Sequence, residues 1–170
     1  NGDEMVLRGT NDVDDDNRGI IICDPGFGQV VVDWDEFDRV DFSSPSGRLR
    51  YDDFDGGRRL QGTAHTEDGD SYTGVIRWDD DEEFTWETLD GSYRDIEFDI
   101  ELGQISRIER KSTRSSLVTG KDGRTFRLRD SNDVDADNRG IFITTADGDE
   151  VEVEWDEFAF VEFDNWVYPV

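Results

Sequence analysis

Residues 1–42 align with residues 122–163 without a gap, at a constant offset of 121, and 21 of the 42 positions are identical. A match of that length is an internal duplication, and it narrows the choice of fold before any composition is considered. The best blocks pair Asn11–Ile20 with Asn132–Ile141 and Trp34–Phe37 with Trp155–Phe158. Val30, Val32 and Trp34 recur as Val151, Val153 and Trp155, while the position between them changes from Val31 to Glu152. A period of two with one retained face is the pattern of a half-buried strand. After each Trp comes Asp-Glu-Phe, a short turn, and then Val40-x-Phe42 or Val161-x-Phe163 resumes the alternation.

Each copy therefore reads as strand, single turn, strand. This closing order resembles that of small SH3-like barrels, where one 3₁₀ turn precedes the last strand. The resemblance rests on strand order and implies no activity. The middle of the chain reads as a diverged unit of the same kind. Leu60–Thr66 and Tyr72–Trp78 are strand-like around a Glu67-Asp68-Gly69-Asp70 turn, Phe84–Leu89 follows, and Asp90-Gly91 is expected to turn again. Ile96, Phe98 and Ile100 alternate, Gly103 marks a break, and Ile105–Ile108 closes the unit. Leu117-Val118-Thr119, a Lys121-Asp122-Gly123 turn and Phe126–Leu128 open the last unit.

No stretch shows a sustained helical period with caps. The expected fold is all-β, as tandem small SH3-like barrels from the duplication, with one β-sandwich built from the repeats as the alternative. The units run 1–43, 58–111 and 112–163, with a linker at 44–57 and a terminal strand or tail at 164–170. Units of about 50 residues are marginal alone and should pack on one another. The first unit lacks a counterpart of Leu117-Val118-Thr119, and Trp166-Val167-Tyr168 or Leu49-Arg50-Tyr51 is expected to take its place. A chain that begins at Asn1 without Met reads as a processed or trimmed product, which favours an extracytoplasmic origin.

Charge constrains the partners. The chain has 170 residues with 30 Asp, 14 Glu, 16 Arg and 2 Lys, a net charge of −26. Its 12% aromatic content separates it from disordered acidic tails. Nucleic acid and anionic membranes are disfavoured as partners, and no apolar run approaches the ~20 residues of a membrane span. The acids recur between apolar positions, as in Val151-Glu152-Val153-Glu154-Trp155, so most describe a solvated face. An Asp-rich, Lys-poor surface of this kind resembles that of proteins from extreme halophiles.

One acidic element stands apart because both copies keep it. Asp12, Asp14, Asp16 and Asn17 recur as Asp133, Asp135, Asp137 and Asn138. Carboxylates at alternate positions converge on a hard cation when the backbone curls, as in the first half of an EF-hand loop, so these eight residues are the candidate metal ligands and Ca²⁺ the one candidate ion. Against this, Cys23 and Thr144 stand where the bidentate Glu belongs and no helix flanks the loop. The competing reading is structural. Asn and Asp favour Asx-turns, Val13 and Val134 suggest a packed plug, Arg18 and Arg139 would pair with the loop acids, and Gly19 and Gly140 would hold positive φ.

No catalytic motif accompanies the single His65 and single Cys23, and no other cofactor is expected. Asp79-Asp80-Asp81-Glu82-Glu83 reads as a solvated loop. Arg107, Arg110, Lys111 and Arg114 are expected to pair with nearby acids. The expected function is a non-catalytic structural or protein-interaction module whose partner is a protein or the rest of its own chain. The alternatives are a Ca²⁺-stabilised extracellular domain for glycans or adhesion, and a carboxylate hydrolase.

Self-repulsion at −26 should weaken the folded state at low salt and fade as the Debye length falls to about 3 Å near 1 M. Stability measured by urea melts should rise from about 50 mM to about 2 M NaCl. Equal stability at both ends would overturn the halophile reading.

Overall fold

The computed structural model describes residues 5–9, 13–15, 17, 19–24, 26, 28–42 and 57–164. They form two antiparallel sheets without an α-helix. The strands are β1 (Ile20–Asp24), β2 (Gly28–Val32), β3 (Gln61–Thr66), β4 (Ser71–Trp78), β5 (Thr88–Tyr93), β6 (Ile96–Glu101), β7 (Ile105–Ser112), β8 (Ser115–Gly120), β9 (Thr125–Leu128), β10 (Ile141–Thr145), β11 (Glu150–Val153) and β12 (Phe158–Phe163). One sheet has the order β1-β2-β6-β5, the other β11-β10-β4-β3-β12-β7-β8-β9. A bridge between Ser92 and Arg129 ties the end of β5 to the segment after β9.

All-β is therefore correct, but neither sheet closes into a barrel. Strands from the three sequence units interleave: β3, β4 and β7 of the middle unit share a sheet with β8 to β12, and β5 and β6 share one with β1 and β2. The physical reason is burial. Leu60, Ala64, Ile76, Trp78, Ile108, Ile141, Ile143, Phe158 and Val161 form one core cluster in which each side chain is at most 2% exposed. No single unit supplies enough apolar faces to build such a core alone.

Local chemistry explains most elements. β11 continues into Trp155 with Val153 and Trp155 buried and Glu152 and Glu154 exposed, as the alternation requires. The strand, 3₁₀ turn, strand order forms at β6, Leu102–Gln104 and β7. Two expectations fail in the middle unit. The strand expected at Phe84–Leu89 begins at Thr88, and Asp90-Gly91 lies inside β5, not in a turn. β9 passes so close that a Cβ on Gly91 would lie 2.9 Å from Cβ of Leu128. The glycine serves close approach, and the turn falls at Arg94 (φ 59°).

The two copies differ in how they join the molecule. In the first, the second hairpin strand, β2, pairs with β6. In the second, the first hairpin strand, β10, pairs with β4. The equivalent strands β11 and β2 differ in charge. β11 carries Glu150 and Glu152 and is left as an outer strand, whereas β2 has Gln29 and Val31 at those positions and is covered on both sides. Charged residues on an edge strand discourage further pairing, and their loss permits it.

The expected third strand of each copy forms only once. Phe158–Phe163 is β12, inserted between β3 and β7. Phe37–Phe42 is not a strand. The linker at 44–56 and the segments Leu49-Arg50-Tyr51 and Trp166-Val167-Tyr168 lie outside the described residues.

Candidate functional site

Two features combine unusual chemistry with residues kept in both copies. The first is an acidic junction at the end of β4. Trp78–Asp81 makes a tight turn in which the Asp81 N–H donates to the Trp78 carbonyl at 3.2 Å, with positive φ at Asp79 (46°) and Asp80 (67°). Two successive left-handed residues are the type I′ geometry that Asp tolerates better than most side chains. The turn carries Asp79 inward, where it is 0% exposed. The Asp79–Glu83 run is thus solvated only in part: Asp80 and Asp81 are exposed as its composition suggests, and Asp79 is not. Hydrogen bonds to Asp79 decide its position.

The Asp79 carboxylate accepts the Asn132 side-chain amide, the Arg139 main-chain N–H at 2.5 Å and the Arg139 guanidinium at 3.1 Å. It grips both ends of the repeated acidic loop. Between those ends the loop is a plug, as its Val suggested. Val134 is fully buried, the Trp78 indole N–H donates to the Asp133 carbonyl at 3.1 Å, and the Ser116 hydroxyl donates to the Val134 carbonyl at 3.0 Å. Arg139 also bonds Asp81 at 2.5 Å, so it pairs with the β4 turn and not with the loop's own acids.

The candidate metal ligands can now be placed. Asp133 is 4% exposed and its carboxylate accepts the Asp90 N–H at 2.6 Å. Asp135 accepts the Asp137 N–H at 3.0 Å, and Asn138 accepts the Gly140 N–H at 3.0 Å with Gly140 at φ 118°. In the first copy Asn17 accepts the Gly19 N–H at 2.8 Å, and Gly19 has φ 109°. Asp14 lies in the same loop, while Asp12, Asp16 and Arg18 fall outside the described residues. Among the described residues, the carboxylates that converge within 4.8 Å as a ligand set are Asp79, Asp81 and Glu82, and Arg139 already binds two of them.

Proton affinities diverge at this junction. Burial, with the charge of Asp133 next, raises Glu82 to about 9. Burial also raises Asp133 to about 7, although the Asp90 N–H opposes it. The Arg139 guanidinium holds Asp81 below the ordinary carboxylate range.

The second feature is a set of exposed apolar residues in the first copy, two of which line a groove. Leu7, Ile22, Val40 and Phe42 are 64, 47, 47 and 93% exposed, while the identical residues Leu128, Ile143, Val161 and Phe163 are 0, 0, 0 and 8% exposed. A groove of about 310 Å³ runs between Ile20, Ile22 and Val32 on one side and Phe37 and Val40 on the other. Sequence comparison signalled that these residues are retained but not that one set stays uncovered. Elsewhere three of the four expected pairs form: Arg107 with Glu162 at 2.9 Å, Arg110 with Glu67 at 2.9 Å, and Lys111 with Glu109 at 2.5 Å, while Arg114 gives its main-chain N–H to Ser112. His65 stacks on Phe160 with ring centroids 4.2 Å apart.

No protein-family model, curated protein or solved structure matches this chain.

Glu82 and Asp133 take up protons more readily in the folded state than in the unfolded chain, where carboxylates titrate near 4. Their contribution to stability is full below about pH 4 and is lost as pH rises through about 7 and then 9. In about 2 M NaCl, the urea midpoint should fall from pH 5.5 to 9, and Glu82→Gln should flatten the upper part of that slope.

Proposed function

We propose that the chain is a non-catalytic protein-interaction module, built from repeats of SH3-like strand order merged into two sheets, and that the apolar face of its first repeat is the binding surface. The observation that carries this reading is the set of four identical residue pairs, each buried in the second repeat and exposed in the first. Apolar groups gathered on a surface are a cost in water unless a partner covers them. The acidic junction supports the module as a structural fastening. A hydrolase needs two carboxyls of divergent proton affinity facing substrate, whereas Asp81 here is bound by Arg139 and Asp133 is enclosed.

The identical residues allow a paired test. Phe163→Ala should cost about 3 kcal/mol, as for a buried aromatic, and Phe42→Ala should stay within about 0.5 kcal/mol. Equal losses in urea melts would mean that the face is already covered in the isolated chain, and the reading would fail.

A second reading, a calcium-stabilised extracellular module for glycans or adhesion, is favoured by the convergence of Asp79, Asp81 and Glu82 within 4.8 Å. The Arg139 guanidinium competes for the same carboxylates. On this reading millimolar Ca²⁺ should raise the melting temperature of the wild-type chain at pH 8 and raise that of Arg139→Ala further. No shift in either protein removes the cation.

A further inference from the structure

The second repeat shows what covers such a face. Its hairpin and its last strand are not adjacent. The β3–β4 hairpin lies between them: β4 pairs with β10, and β3 pairs with β12. In register, Trp78, Arg77, Ile76 and Val75 lie opposite Ile141, Phe142, Ile143 and Thr144. On the other side Ala64 lies opposite Val161 and Gly62 opposite Phe163. The first repeat offers the same two borders. β1 (Ile20-Ile21-Ile22-Cys23-Asp24) corresponds to β10, and Phe37–Phe42 corresponds to β12. Among the described residues the outer edge of β1 has no strand partner, and Phe37–Phe42 pairs with no strand.

β1 is not built as a terminal edge. Natural edge strands are protected by charges, prolines or bulges. β11 has its two glutamates, but β1 has only Asp24, at its end, where it is held by Arg124 at 3.0 Å. Ile21 stands 62% exposed. We infer that the first repeat receives a β-hairpin from a partner protein, one strand adding to β1 and the other to Phe37–Phe42. This rests on the interaction reading above and specifies its partner.

The chemistry of that hairpin follows from the template and the rim. Its inward positions are small, β-branched or aromatic, as Gly62, Ala64, Ile76 and Trp78 are in the second repeat. Its flanks are basic, because Glu36, Asp38 and Asp41 border the groove and the one base there, Arg39, already pairs with Asp41 at 3.0 Å. β4 supplies the precedent. Arg77 lies over the Phe142 ring at 4.2 Å and reaches Glu150 at 3.3 Å. A second copy of this chain is a poor donor of the same hairpin. Its own β3–β4 is locked between β10 and β12, with Ala64, Ile76 and Trp78 each 0% exposed.

A fluorescently labelled synthetic peptide of residues 61–78, the internal hairpin itself, is the probe. It should bind the full chain one to one in about 2 M NaCl, read by anisotropy. Ile22→Lys and Val40→Lys, both at exposed positions, should each weaken binding at least about tenfold while leaving the melting temperature unchanged. A peptide carrying Ile76→Lys should lose binding as well. Absence of binding, or binding insensitive to both protein variants, overturns the inference. So does a wild-type chain that is dimeric by light scattering and becomes monomeric as Ile22→Lys, which makes a second copy the occupant. If Phe42→Ala is neutral and the peptide still fails to bind, the free face stands and only the hairpin is wrong.

Discussion

Strand edges without charge invite another strand, and the docking of the duplicated hairpins turns on that constraint. Unpaired main-chain N–H and C=O groups flanked by apolar side chains recruit another strand, whereas glutamates on the edge keep it solvated. The duplicated hairpin shows both outcomes. Glu150 and Glu152 turn β11 outward and leave β10 to take β4, while Gln29 and Val31 let β2 lie between β1 and β6. Among the residues that differ between the two hairpins, Gln29 and Val31 thus lie on the covered β2, and Glu150 and Glu152 on the outer β11.

The acidic junction depends on that docking. Once β10 pairs with β4, the loop that leads into β10 must lie beside the end of β4. The buried Asp79 carboxylate then finds the Arg139 and Asn132 donors at the loop's two ends. A carboxylate that is 0% exposed is tolerated only when its lone pairs are engaged by such donors. Burial, reinforced by the neighbouring carboxylates, raises Glu82 and Asp133, while Arg139 pairs with Asp79 and Asp81. The junction therefore joins the duplicated loop to the middle unit, and within that loop Asp133 accepts the Asp90 N–H, Asp135 the Asp137 N–H and Asn138 the Gly140 N–H.

Much of the remaining acidity among the described residues lies on exposed strand positions and turns. It sets the conditions under which apolar association works. At −26, approach of any acidic partner is opposed at low salt, and a basic flank or a screening electrolyte removes that barrier. On the proposed reading, the first repeat offers a groove that is apolar in the middle and bordered by Glu36, Asp38 and Asp41.

Read alone, the sequence determined the all-β class, the duplication, the inward phase of Val153, Trp155, Phe158 and Val161, and the plug role of Val134, because alternation and repeated identities report local burial directly. It also singled out Asn17 and Asn138 with their following glycines, since Asx-turns and positive φ are properties of a few adjacent residues. What it could not determine was partnership across the chain. The burial of Asp79 depends on donors 53 and 60 residues away. The glycine of Asp90-Gly91 sits in a strand because β9 passes over it, and the interleaving of units follows from a shared core. Above all, identical residues such as Phe42 and Phe163 have opposite fates. Local sequence sets which side of a strand is apolar; only the tertiary arrangement decides whether another strand is there to cover it.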